Sequence, residues 1–160
     1  MGYIVPAGLG ARLASPFLVP PSDAEAMRKQ DGFRWREKFV LETYTFAIDP
    51  LDSTHETVKI QFKVAMDSDH DENKGRIVTH FLDFYWKAVE TGTPENRAKQ
   101  TQISYTNFIS LATAIGFTGF PSPSEVDAND VRGMTVSANV TVAKDKTGTM
   151  RQRLDNWLSD

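Results

Sequence analysis

Between Val58 and Met66 the chain alternates without a break. Val58, Ile60, Phe62, Val64 and Met66 are apolar, and Lys59, Gln61, Lys63 and Ala65 separate them. Successive strand residues point to opposite faces, so this stretch predicts a strand with one face buried and the other in water. A second alternation sets Met134, Val136, Ala138, Val140 and Val142 against Thr135, Ser137, Asn139 and Thr141. Three further segments read as strands. Phe39 to Ile48 is rich in Val, Thr, Tyr and Phe, Arg76 to Trp86 is apolar on both faces in places, and Met150 to Leu158 closes the chain. Asp49 to Ser53, Asp67 to Gly75 and Lys144 to Gly148 carry the Asp, Asn, Pro and Gly of turns.

Helical spacing is found once at length. Tyr105, Phe108, Ile109, Ala112 and Ile115 fall on one helix face, with Ser104 as the expected cap and Gly116 as the stop. Thr93-Pro94 is a second place where a helix can open, and Pro121 to Asp130 reads as a loop with a single helical turn. Ser22 to Gln30 is expected to be a short helix, because Ser22 and Glu25 make a capping box. Met1 to Pro21 has no period and holds four of the eight prolines. The expected layout is an arm and short helix over 1–38 and one domain over 39–160. The order β-β-β-α-β-β is that of a mainly β, five-stranded OB-type barrel, a fold that binds oligonucleotides on one strand face and two loops.

Several classes are excluded or made improbable. The chain has no cysteine, so disulfides, thiolate zinc sites and cysteine nucleophiles are absent. No apolar run approaches the ~20 residues of a membrane span. Met1 to Val19 lacks the order of a signal peptide, so no membrane association and a cytoplasmic location are expected. Asp67-Ser68-Asp69-His70-Asp71-Glu72-Asn73 has the look of a calcium loop. It puts Glu72 where the sharp turn needs Gly, and Val78 where the bidentate Glu belongs. His55, His70 and His80 have no partner at metal-ligand spacing. Gly8-Leu9-Gly10 is not a dinucleotide fingerprint, and neither a P-loop nor a nucleophile elbow is present. A nuclease using Asp67 to Glu72 with a metal would draw its ligands from one loop only, against the usual construction. No cofactor, no metal and no catalysis are expected.

The net charge of −3 runs against a nucleic-acid binder, but its distribution is uneven. Asp49 to Gly75 carries seven acids and three bases, a local −4, whereas Arg28 to Lys38 carries five bases and two acids, a local +3. Cations and rings interleave at Phe33-Arg34-Trp35-Arg36-Glu37-Lys38-Phe39 and at Phe84-Tyr85-Trp86-Lys87, the mixture that holds single strands by phosphate contact and base stacking. Any one ring is more often core. Three in succession on a strand cannot all face inward. The expected nucleic-acid-binding residues are Arg34, Trp35, Lys59, Lys63, Arg76, Tyr85, Trp86, Lys87, Lys144, Lys146, Arg151 and Arg153.

Tyr44-Thr45-Phe46-Ala47-Ile48, the alternating strand, and Gly75-Arg76-Ile77-Val78 form the first part of a further pattern. Leu111-Ala112-Thr113-Ala114-Ile115-Gly116-Phe117, then Val131-Arg132-Gly133-Met134-Thr135-Val136, and a glycine turn at Gly148 complete it. In this order, from Tyr44 to Leu158, the chain resembles small bacteriophage single-stranded DNA-binding proteins with an OB fold. The resemblance implies sequence-tolerant binding of single-stranded DNA in phage replication or recombination, with replication or recombination proteins as possible partners. Such proteins often end in an acidic tail that recruits those partners; here Trp157-Leu158-Ser159-Asp160 follows the last strand directly. The competing expectation is an interaction module or homo-oligomer that uses the same fold without nucleic acid.

Overall fold

The 18 residues of β2, Gly32–Asp49, organise the sheet. Along its first half β2 pairs with β5, Thr135–Lys144, from Phe33↔Val142 to Val40↔Thr135. Along its second half it pairs with β3, Asp52–Val64, from Phe39↔Val64 to Asp49↔Asp52. The register shifts between Leu41 and Thr43, where the ladder changes partner. A bulge of this kind bends its strand and increases the local twist. The computed structural model describes residues 17–160. It shows a mainly β molecule whose antiparallel sheet runs β4-β3-β2-β5-β6, with β4 at Ile77–Tyr85, β6 at Met150–Ser159, and the short β1, Glu25–Met27, on β2.

The alternation seen in the sequence supplies the core. Val58, Ile60, Phe62 and Val64 are wholly buried, as are Val136 and Val140. Phe62 stacks on Trp157 at 4.7 Å and tilts against Phe39 at 5.7 Å. Met66 departs from the pattern because β3 ends at Val64; it lies past the strand, 64% exposed.

Three helices follow β4: α1 at Trp86–Thr91, α2 at Glu95–Ala114, and the single turn α3 at Ala128–Val131, preceded by a 3-10 turn at Pro123–Glu125. α2 lies against the outer edges of both β4 and β6. The Tyr85 N–H donates to Thr101 Oγ1 at 2.7 Å, Asn107 Nδ2 donates to the Leu154 carbonyl at 2.7 Å, and the Trp157 N–H donates to Ser110 Oγ at 3.0 Å. Asn107 Oδ1 in turn accepts from Trp157 Nε1 at 2.9 Å and from His80 Nε2 at 3.1 Å. Buried backbone groups must find partners, and here helix side chains stand in for a missing strand. The helix stops as expected. Gly116 has φ +102°, its N–H bonds to the Thr113 carbonyl, and the Phe117 N–H reaches back to Ala112.

Four expectations need correction. The sheet has six strands rather than five, and among the described residues no ladder joins β4 to β6, so the sheet is open with α2 set between its edges. Ser22 to Gln30 is not helical. Glu25–Met27 pairs with Gly32–Arg34 instead, in a hairpin closed over residues 28–31, because strand pairing at the sheet outweighs an isolated turn of helix. α2 begins at Glu95, so Ser104 is a buried residue within the helix and not its cap. Finally, β2 starts at Gly32, so position 38 lies inside it. Leu18 is buried in the core with its N–H on Gln152 Oε1, which makes residues 17–38 part of the same body. The rest of the expected arm, residues 1–16, lies outside the described residues.

Candidate nucleic-acid interface

With Val58, Ile60, Phe62 and Val64 turned inward, Lys59, Gln61 and Lys63 must face outward. The ladder sets Lys59 beside Phe81 of β4 and Thr45 of β2, Gln61 beside Thr79 and Thr43, and Lys63 beside Ile77 and Val40. Phe81 is 59% exposed and Ile77 is 53% exposed. The outer face of β2–β3–β4 thus carries two lysines, two exposed apolar side chains next to them, and neutral hydroxyl and amide groups between.

Phe81 is the residue that the sequence reading missed. Phe81 belongs to neither of the two clusters of rings and cations. Its signal was positional: Val78, Leu82 and Phe84 are inward residues of β4, which puts Phe81 on the opposite face.

The rings that were expected to stack are committed elsewhere. Trp35 is only 6% exposed, and its Nε1 donates to Glu37 Oε2 at 3.2 Å. Trp86 packs against the core, stacked on Phe84 at 5.3 Å, with Nε1 on Glu56 Oε1 at 2.7 Å. Tyr85 is stacked on His55 at 4.3 Å and carries the Arg97 guanidinium 4.7 Å from its ring centre. Trp35 and Trp86 each found an apolar surface and an acidic acceptor for the indole N–H, and Tyr85 is taken up by His55 and Arg97, so these three do not form an open stacking platform.

The cations fall into two outward strips. Lys59 and Lys63 form the first; Arg76, just before β4, is half-buried with its Nη1 atom away from solvent, and Lys87 is exposed on α1. The second crosses β2, β5 and β6. Arg34 lies opposite Thr141, and Thr141 opposite Arg153; their neighbours Trp35, Val140 and Leu154 are buried, so this row faces outward. Arg151 lies further along β6, Lys144 ends β5, and Lys146 lies in the turn that follows, both lysines exposed. Arg34 pairs with Glu25 at 3.3 Å, and Arg151 with Asp145 at 3.0 Å. Hydrogen bonds from Thr147 and Arg151, with backbone N–H groups, hold the Asp145 carboxyl well below its ordinary range.

The acidic segments serve the fold. Glu37, 3% exposed, accepts from Trp35, from the Ser68 hydroxyl and from Asn73 Nδ2 at 3.4 Å, and it meets His70 Nδ1 at 3.0 Å. The His70 Nε2 atom reaches Asp23 at 3.1 Å. These contacts fold the Asp67 to Gly75 segment back onto β2 as a structural turn. At the other end of the sheet, His55 lies between Asp49 and Asp83, each at 3.0 Å. Burial alone would lower the His55 pKa, but the two carboxylates outweigh it and raise the value. His70 is raised for the same reason by Asp23 and Glu37. His80 is lowered by burial among apolar neighbours. Among the described residues no cluster of three or more His, Cys, Asp or Glu side chains is arranged to hold a metal ion.

Between the two cation strips lies a groove of about 930 Å³, lined by β4, β6 and α2. Phe81 lines one wall, Arg153 and Asn156 the other, and Gln100, Gln102 and Ile103 come from the helix. No protein-family model matches the chain, and no curated protein matches it either.

Proposed function

We propose that β2 to β6 make up a partly open OB-type barrel and that the molecule binds single-stranded DNA with little sequence preference, without catalysis. The observation that carries this reading is the pairing of Lys59 with Phe81 and of Lys63 with Ile77 on one outward face. Cations at that spacing take phosphates while the exposed ring takes a base, and every base has a face to offer. The bent β2 with a different partner on each half supports the barrel, and the resemblance of Tyr44–Leu158 to phage single-strand binders supports the same function. On this reading the protein works in the cytoplasm of an infected cell beside replication or recombination proteins. No helix of the described residues is long and apolar enough to cross a membrane.

The test is binding of a labelled oligo-dT against its duplex at low and moderate salt. Tight binding to the single strand alone, weakening as salt rises, is expected. Absence of binding at low salt overturns the reading. It would favour the second one, a protein-interaction module, for which the exposed Ile77, Phe81 and Ile103 speak.

A further inference from the structure

We infer that the groove between β4, α2 and β6 takes an unstacked base of the bound strand, so that the strand crosses from the Lys59 face to Arg153 over the open side of the barrel. This rests on the proposed single-strand binding and adds to it a second surface, contributed by α2.

Three observations lead here. The first is continuity. Phe81 belongs to both places: it lies beside Lys59 on the outer face and lines the groove. A strand held at Lys59 therefore meets the groove at its next step. The second is charge. Among the groove-lining residues Arg153 faces outward in the row with Arg34, and Asp155 is the one carboxylate; the rest are neutral. A neutral cleft between two cationic rims suits a nucleic acid, whose bases are uncharged and whose phosphates are not. The third is the chemistry of the lining. Phe81 and Ile103, 59% and 71% exposed, offer apolar faces from the sheet and from the helix. Gln100, Gln102 and Asn156 bring side-chain amides, which donate and accept hydrogen bonds as base edges do. A volume near 930 Å³ lies within the range of small-molecule sites.

The variants that test this lie on α2, away from the Lys59 face. Ile103→Ser removes the apolar wall at an exposed position, and Gln100→Ala with Gln102→Ala removes the amides. Binding of labelled oligo-dT to the full chain is measured across salt, together with an oligomer of the same length made of abasic residues. Loss of one stacked base corresponds to about tenfold in affinity. Ile103→Ser is expected to bind oligo-dT about tenfold more weakly with the salt slope unchanged, and the double amide variant to weaken it several-fold. Wild type and variants should bind the abasic oligomer alike. If the α2 variants bind oligo-dT as wild type does while Lys59→Ala weakens it, the groove inference is overturned and the outer-face reading stands. If wild type binds no single strand at low salt, both fall.

Discussion

A side chain at Gly32 would overlap the Val142 carbonyl oxygen and the Ala143 side chain, so the β2–β5 ladder closes there only around a glycine. Gly32→Ala forces those strands apart and should cost about 1–3 kcal/mol, by analogy with overpacked cores. The expected signature is a lower urea midpoint with an unchanged slope. His55 and His70 set the pH response. Each has a folded-state pKa raised above its unfolded value, so its contribution is complete below about pH 6.5 and is lost as pH rises through the folded value. Stability measured by urea unfolding should therefore fall on going from about pH 6 to pH 9, and His55→Gln with His70→Gln should flatten that part of the curve. His80, lowered by burial, acts in the opposite sense on the acid side, where charging it opposes folding.

α2 shows where reading from sequence stops. Its second half was evident from Tyr105, Phe108, Ile109 and Ala112, and its end from Gly116. Its first half was not, because the buried residues there are Thr101 and Ser104. Periodicity of apolar residues cannot register a hydroxyl buried to serve the backbone: Thr101 Oγ1 accepts from Tyr85 N–H on the sheet and donates to the Arg97 carbonyl on the helix. The same limit applies to the site. The strands, turns and outward lysines follow from local alternation. The fates of Tyr85 and Trp86 depended on Arg97 and Glu56, partners that topology brings in, and that of Trp35 on the burial of its strand face, where Glu37 lies two residues on. β1 went unread because Ser22 and Glu25 have the spacing of a helix cap, whereas the chain turns back at Asp31, φ +51°, into a local hairpin with β2. At this scale Asn107 is the critical residue, joining His80 of β4 to Leu154 and Trp157 of β6. Asn107→Ala leaves buried polar groups without partners at about 1–3 kcal/mol each, so a loss of more than about 2 kcal/mol is expected in thermal or urea unfolding.

Over the whole molecule, a net charge of −3 coexists with two outward strips of cations. If those strips hold phosphates, salt dependence measures how many. Each phosphate contact to a single strand contributes about 0.7 to the slope of log affinity against log salt. Removing both Lys59 and Lys63 should lower that slope by about 1.4, and a slope equal to wild type would take these lysines out of the interface. Tryptophan emission is a poor reporter of such binding, since Trp35 and Trp157 are buried and Trp86 is packed against the core. It should report unfolding instead.

The position of α2 also bears on how the protein ages. β4, Ile-Val-Thr-His-Phe-Leu-Asp-Phe-Tyr, has Asp83 as its one acidic or basic residue apart from His80 and contains no proline. A strand of that composition, uncovered along one edge, is a template for pairing with other chains. α2 covers that edge through Thr101, Asn107 and Ser110 and through Phe108, Leu111 and Ala112 in the core, so a change that unseats the helix uncovers the strand. Storage lifetime is then governed by how firmly one helix stays seated, and aggregation follows its release.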